Sequence, residues 1–458
     1  MNQIIFNDKL IKKYQKNLPR YTSYPTADKF NNEFTTEAQQ IELINTSKYK
    51  SISLYIHIPF CNTLCLFCTC NKIITNKHDK IDEYLLYLRK ELSIYKKIWN
   101  SITQEKIRVN NIHFGGGSPS WMTVEQLNQV MAIIYEFFEV PSDTNIAMEI
   151  DPRRITYDFI EALAHHKFNR LSFGVQDTNH KVQKLINRIQ PIEQTIQVIS
   201  WAQSLGINSI NIDLIYGLPL QTVESYKDTI DHVINNIRPS RIALYNYAHL
   251  PHIFAAQKKL NDHLPSGDEK LNILKSCVEA LSKAGYSYIG MDHFALPEDE
   301  LSIALSKNCL KRNFQGYSVE QEETILGIGV SAISTTPTTY WQNLKTIEEY
   351  YSALEKEYTP LRIGVTLTKE DVLCRDIIHT LMGQLFLNFE EFNQKYNIDF
   401  LDKFSKQLDQ LKPLIEDNLL KITETEIRVL PIGRFLIRNI VCVFDQYLNS
   451  ENRYSKSI

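Results

Sequence analysis

From about residue 52 the chain alternates between two apolar rhythms. Short runs at 52–59, 111–114, 145–151, 170–176, 208–215, 241–247 and 287–292 read as strands. Between most of them, stretches at 81–98, 124–138, 157–165, 191–205, 223–234 and 269–284 carry the helical spacing of apolar residues. Strands that alternate with helices pair in parallel through right-handed crossovers. The pattern therefore predicts an α/β fold, a partial or open parallel (β/α) barrel over residues 51–360. In 170–177, Leu171, Phe173 and Val175 share one strand face, and Ser172, Gly174 and Gln176 share the other. Ile146, Met148 and Ile150 are likewise opposed to Ala147, Glu149 and Asp151. Small and polar residues on the inner face imply a lumen that holds ligands, where a closed barrel would be packed with branched side chains. Residues 1–50 lie outside this rhythm and read as an arm and lead-in containing Arg20-Tyr21-Thr22-Ser23-Tyr24-Pro25-Thr26-Ala27. Residues 361–458 turn mainly helical, with a short β-like pair near 420–430, and read as a small C-terminal domain.

Composition narrows the class without changing this picture. A hydrophobic fraction of 43% and a charged fraction of 22% are those of a globular protein. No apolar run is long enough to span a bilayer, and the N-terminal residues lack the order of a secretory signal, so a cytoplasmic protein is expected. A net charge of −3 argues against a dedicated nucleic-acid binder. Eight cysteines in 458 residues are too few for a disulfide scaffold. Cys277, Cys309, Cys374 and Cys442 are scattered and read as small buried hydrophobes.

The other four, Cys61, Cys65, Cys68 and Cys70, fall within ten residues directly after the first strand. Thiolate is the ligand of soft metals and iron–sulfur clusters. Structural zinc usually takes its ligands as two separated pairs, which this loop does not offer. The C-x3-C-x2-C portion instead suits one loop wrapped around a 4Fe–4S cubane, with Cys61, Cys65 and Cys68 each reaching one iron and the fourth iron open. Cys70 as a further ligand would block that iron, so it is assigned elsewhere. His57 and His113 have no second ligand at metal-like spacing and read as hydrogen-bonding residues.

A loop of this form after the first barrel strand resembles the signature of the radical S-adenosylmethionine (SAM) superfamily. Within it, RYTSYPTA, LYIHIPFCNTLCLFCTCNK, HFGGGSP, MEIDP, FGVQD, NIDLIYGLP, NYAHLP, GMDHFA, NFQGY, GVSAIS and RFLIRN occur in the order of the oxygen-independent coproporphyrinogen III oxidase family. The chain resembles that family over nearly its whole length. The resemblance implies oxidative decarboxylation of two propionates of coproporphyrinogen III to vinyl groups, through hydrogen abstraction by a 5′-deoxyadenosyl radical. It implies one 4Fe–4S cluster and SAM, two molecules of it. Its SAM contacts fall on Tyr55, Phe67, Gly116, Gly117, Ser118, Glu149, Gln176, Arg188, Asp213, Ala248 and Ile333, with Cys70, Tyr55 and Glu149 closest to the chemistry. It also implies a low-potential electron donor, a terminal electron acceptor and a monomer, with no nucleic-acid or membrane partner. A haem-delivery protein of the same superfamily is the rival reading, and a zinc-knuckle module a second. The substrate's carboxylates need cationic partners, for which Arg20, Arg434 and Arg438 are candidates. Tyr21 and Tyr24 offer flat faces for a macrocycle, so the arm is expected to fold over the barrel mouth.

Overall fold

The computed structural model describes residues 5–319 and 324–448. Six parallel strands stand side by side in sequence order: β1 (Ile52–Ile58), β2 (Ile107–Gly116), β3 (Asn145–Ile150), β4 (Arg170–Gln176), β5 (Ser209–Tyr216) and β6 (Arg241–Asn246). Helices Asp79–Trp99, Val124–Phe137, Tyr157–His165, Ile192–Ser204 and Val223–His232 return the chain between them. Three of these begin at a threonine, Thr123, Thr156 or Thr222, whose side chain accepts a bond from the backbone N–H of Gln126, Phe159 or Ser225. That satisfies a donor the helix itself leaves open and fixes where each helix starts. The strand parity holds: Leu171, Phe173 and Val175 are buried beneath helices, while Ser172, Gly174 and Gln176 stay partly accessible on the inner face.

The sheet does not close. Outside β6 lies β8 (His293–Ala295), antiparallel to it, and β7 (Ser287–Gly290) pairs antiparallel with β8. The run 287–292 is thus the first arm of a hairpin, because Gly290 (φ 152°) and Met291 (φ 51°) turn the chain back. On the other side β9 (Ile325–Ile328) pairs parallel to β1, followed by antiparallel β10 (Ile333–Thr335), β11 (Thr339–Asn343) and β12 (Leu361–Thr366). A three-stranded sheet of β13 (Phe386–Asn388), β14 (Leu420–Ile422) and β15 (Glu426–Val429) packs with helix Lys369–Gln384 in a second hydrophobic cluster. Among the described residues no helix is long and apolar enough to cross a membrane.

The arm ties the two ends of the large sheet to that second cluster. Arg20 pairs with Asp292 beside β8. Tyr21 donates to Asp445 at 2.9 Å, and the Tyr24 hydroxyl accepts from the Gln446 N–H at 2.9 Å. Asn31 then exchanges backbone bonds of 2.9 and 3.0 Å with Gly364 of β12. Phe30 and Phe34 stack on Tyr340 and Trp341 of β11. Tyr21 and Tyr24 are fully buried, so they do not present open faces to a macrocycle. Their rings belong to the C-terminal core, and removal of residues 1–28 would take part of that core with it. Arg434 donates to the carbonyls of Tyr288 and Ile289 on β7, which commits it to a sheet edge rather than to a ligand.

One buried carboxylate secures β9 and its neighbours. Glu91, on helix Asp79–Trp99, accepts from Tyr95 and Asn343 on Oε1, both at 2.8 Å, and from the Gly329 N–H and Tyr350 on Oε2 at 2.8 and 2.6 Å. Burial pushes its pKa up against these four bonds. Glu91→Ala leaves four donors facing a void and should cost about 3–5 kcal/mol in urea unfolding of the apo chain. Glu91→Gln should be nearly as harmful, because its NH2 would face two of the donors. A loss below about 1 kcal/mol in both variants would show that water replaces the carboxylate without penalty.

Candidate active site

The cysteine loop is pinned at its neck. After β1, Phe60–Cys61 pairs with Ile73–Ile74, closed by Ile73 N–H to Pro59 O at 2.7 Å and Thr75 N–H to Cys61 O at 2.9 Å. The glycine loop that ends β2 locks onto the same neck, with Gly117 N–H on Ile58 O at 2.8 Å and Ser118 N–H on Phe60 O at 2.9 Å. A Cβ at Gly117 would stand 2.5 Å from the Pro59 carbonyl oxygen, and one at Gly116 (φ 119°) 2.7 Å from the His57 ring. Packing of the neck itself therefore requires these glycines, and a valine at residue 117 would disturb the cysteine loop before it touched any ligand.

Positive groups surround the thiols. Cys65 is buried, with Arg188 Nη1 3.5 Å and Arg153 Nη2 3.7 Å from its sulfur. Asp151 bridges both arginines, at 3.2 Å to Arg188 and 2.5 Å to Arg153. Lys72 Nζ donates to the carbonyls of Cys68 and Cys70 at 3.1 and 3.3 Å. Burial, with Cys68 and Cys65 nearby, pushes the Cys61 thiol up to about 12. A hydrogen bond between the Cys68 and Cys70 thiols lowers Cys68 and raises Cys70. Cys61, Cys65 and Cys68 are close enough to feel one another. Three thiols of one loop in a cationic setting suit an anionic cluster of several irons.

Inside the barrel a small set of polar groups faces that loop. The Tyr55 hydroxyl lies 3.1 Å from His57 Nδ1, and His57 Nε2 lies 3.1 Å from Asn71 O. A carbonyl only accepts, so Nε2 carries the proton and Nδ1 accepts from Tyr55. Burial lowers the His57 pKa, which keeps the ring neutral. His113 Nε2 lies 3.4 Å from Glu149 Oε1, and its ring stacks on Tyr55. Asp213 accepts from Ser172 and Asn211, both at 2.9 Å, and burial followed by repulsion from Glu149 pushes its pKa up to about 6. Glu149, Asp213, His113, Tyr245 and His293 line a lumen cavity of about 140 Å³. Cys70 interacts electrostatically with Glu149 and Tyr55, on the lumen side of the loop.

The expected site residues thus form three neighbouring groups. Glu149 and Asp213 line one lumen, with Tyr55 beside Glu149 and Cys70 within electrostatic reach of it. Gln176 and Arg188 meet under Cys65: the Arg188 guanidinium donates to Gly174 O at 2.6 Å, and Gln176 (φ 68°) closes over the same glycine. Phe67 and Ala248 are joined by Gln257, whose amide donates to their carbonyls at 2.9 and 3.2 Å. Ile333 lies on β10, its carbonyl against Gly327 of β9, which in turn pairs with Tyr55 of β1. Sequence reasoning missed Arg153, Lys72 and Gln257. Arg153 directly follows the Asp151-Pro152 end of β3, where barrels gather their ligands. Gln257 sits in an irregular turn and carries no local signal.

Comparison with known proteins agrees with this arrangement. The radical SAM superfamily pattern matches residues 55–233, and the HemN C-terminal domain pattern matches residues 367–436. An oxygen-independent coproporphyrinogen III oxidase of Salmonella typhimurium is 42% identical over 452 residues, spanning 98% of this chain and 97% of the relative. The Helicobacter pylori protein of the same name is 40% identical over 451 residues, spanning 97% and 98%. The solved structure of coproporphyrinogen III oxidase (HemN) from Escherichia coli, described as a radical SAM enzyme, superposes with a TM-score of 0.92 at 41% identity. That superposition covers 97% of this chain and 100% of the other. With similarity of this extent, and a cysteine loop set at the mouth of an open barrel, the chain belongs to the oxygen-independent coproporphyrinogen III oxidase family of the radical SAM superfamily.

Proposed function

We propose that this chain converts two propionate side chains of coproporphyrinogen III to vinyl groups, giving protoporphyrinogen IX. The observation that carries the reading is the cysteine loop after β1, whose Cys70 lies within electrostatic reach of Glu149, a carboxylate of the lumen wall. Full-length relatives named for this activity support it over haem delivery. When bound, the 4Fe–4S cluster and SAM supply the radical that abstracts hydrogen. Each vinyl group formed releases one hydrogen atom, one carbon dioxide and one electron, so a terminal acceptor is needed besides the low-potential donor.

The chain's own residues bind and orient. Cys61, Cys65 and Cys68 hold three irons, while Arg153 and Arg188 offset the negative charge. Glu149 and Asp213 accept hydrogen bonds from amino and hydroxyl groups of SAM, and Gly116, Gly117 and Ser118 offer backbone along the neck. Tyr55, Phe67, Gln176, Arg188, Ala248 and Ile333 complete the contacts, some of them to a second SAM. Cys70 acts beside the reacting atoms rather than as a cluster ligand. The working unit is a cytoplasmic monomer, divided into an arm (1–50), a barrel (51–360) and a C-terminal domain (361–458). Anaerobic reconstitution with SAM, a reductant and coproporphyrinogen tests the reading: protoporphyrinogen should form, and a fully loaded enzyme that makes none would overturn it.

Single Cys61→Ser, Cys65→Ser or Cys68→Ser substitutions should abolish or strongly reduce cluster iron. Cys70→Ser should keep about four irons per chain, as three remaining thiolates allow, yet lose most product. Equal iron loss in all four variants, read by iron assay, would remove the separate role of Cys70.

Glu149→Ala should keep iron near normal while weakening SAM binding about tenfold or more, the scale of one charge-assisted hydrogen bond. Unchanged 5′-deoxyadenosine formation would mean that SAM lies elsewhere.

Asp213 adds a pH signature. An ordinary aspartate titrates near pH 4, whereas burial raises this one to about 6 in the folded chain. The folded state thus holds the proton more tightly, and stability is lost as pH rises between those values. Asp213→Asn should raise the urea midpoint of the apo chain at pH 8, and the gain should vanish toward pH 4. A pH-independent difference would show that Asp213 is solvated.

A further inference from the structure

Among the described residues six arginines are buried, and five of them are held by evident acceptors or by bonds to the backbone. Arg188 pairs with Asp151, Arg241 with Asp299 and Glu300, and Arg375 with Asp376. Arg434 donates to the Tyr288 and Ile289 carbonyls, and Arg438 to Leu18 O at 2.9 Å. Arg312 differs. It is 4% exposed, its Nε and Nη1 atoms are buried without a hydrogen-bond partner among the described residues, and its guanidinium lies 4.9 Å from the Tyr317 ring centre. That ring contacts the guanidinium as a π surface and offers these nitrogens no acceptor.

Arg312 lines a cavity of about 360 Å³ between β10, helix Lys369–Gln384 and the hairpin Lys311–Ser318. Two further buried polar atoms without partners belong to residues lining it, Thr335 Oγ1 and His379 Nε2. Asp376, the one carboxylate lining it among the described residues, is already neutralised by Arg375 at 2.9 Å and Lys395 at 2.7 Å. Lys311 and Lys395 also line the wall. Burial, reinforced by Arg375, lowers the His379 pKa to about 3, so that ring adds a neutral polar group. A buried guanidinium with unmade hydrogen bonds carries a large penalty unless an anion completes it. Carboxylate is the anion whose geometry suits it. The cavity is separated from the barrel lumen by one hairpin: Arg312, Asn313 and Phe314 face the cavity, whereas Gln315 and Tyr317 line the lumen.

We propose that this cavity is a carboxylate-binding subsite, centred on Arg312, that anchors a non-reacting propionate of the porphyrinogen. The assignment rests on the decarboxylase reading above, because a substrate with four carboxylates needs anchors distant from the one that reacts. The carboxylate of a SAM molecule has the same chemistry and is the competing source.

The test uses reconstituted holoenzyme under anaerobic conditions. Coproporphyrin, the stable oxidised macrocycle with four propionates, and mesoporphyrin, with two, are titrated by fluorescence, and SAM binding is measured alongside. Arg312→Gln should weaken coproporphyrin binding at least tenfold and mesoporphyrin binding less, with SAM affinity within twofold of wild type. Arg312→Lys should recover much of the loss. Unchanged coproporphyrin affinity, equal loss for both porphyrins, or a loss confined to SAM would each overturn the subsite. Should Arg312→Gln fail to fold, Lys395→Glu on the exposed rim should weaken coproporphyrin severalfold, and no change would overturn the proposal. Wild-type enzyme that binds coproporphyrin but forms no protoporphyrinogen would count against the decarboxylase reading, while the Arg312 comparison would still be readable.

Discussion

A parallel sheet that stops short of closing has two sets of unpaired backbone groups and an interior too wide for side chains to fill. Both consequences run through this molecule. At one end β12 offers its edge, and the arm pairs Asn31 with Gly364 there. At the other, β7 offers the Tyr288 and Ile289 carbonyls, and Arg434 of the C-terminal domain takes them. The arm and the C-terminal domain are thus covers for an open sheet, which is why Tyr21 and Tyr24 are spent inside a core. Exposed edges would otherwise pair with other chains. The unfilled interior in turn admits polar side chains, Glu149, Asp213 and His113 among them, at positions where a closed barrel would carry valine or leucine.

The neck at the top of β1 depends on the same geometry. Because β1 and β2 are adjacent and parallel, their C-terminal ends emerge together, and the glycine loop can bond directly to Ile58 and Phe60. The cysteine loop is therefore held by backbone before any cluster is present. Its charge is prepared as well: burial would raise Asp151, yet Arg188 and Arg153 overcome it and hold the carboxyl down at about 2. The ionised Asp151 keeps both guanidiniums in place beside Cys65, so the positive field at the thiol is fixed by a rigid triad rather than by mobile surface lysines.

The sequence made the six parallel strands legible because each is a run of branched apolar residues with a clear period and a long helix after it. The same logic exposed the inner face of β3 and β4, where Glu149 and Ser172 interrupt that chemistry. It failed where elements are short or lack a period. Strands β9 to β12 are three to six residues long and rich in threonine, as in Thr335–Thr339 around Pro337, so no alternation could develop. The cysteines announced themselves by spacing, whereas Gln257, which joins Phe67 to Ala248, is set by a tertiary contact and leaves no local trace. The arm was misread for a related reason: tyrosine suits a buried core with one hydroxyl partner as well as it suits a ligand surface. Only Asp445 and the Gln446 N–H, over 400 residues away, decide between them.

The buried arginines show how partners, and not burial, separate structural charge from functional charge. Arg241 is as deeply placed as Arg312, but Asp299 and Glu300 surround it, and its charge is consumed within the fold. Arg434 is nearly as buried and is consumed by sheet carbonyls. Arg20, a candidate for the substrate, is already matched by Asp292. A ligand with four carboxylates must find guanidinium capacity that the fold has not used. The Lys311–Ser318 hairpin, which stands between the lumen and a second cavity, is one place where such capacity can lie. There a cation can be buried by protein on one side and completed by a ligand on the other.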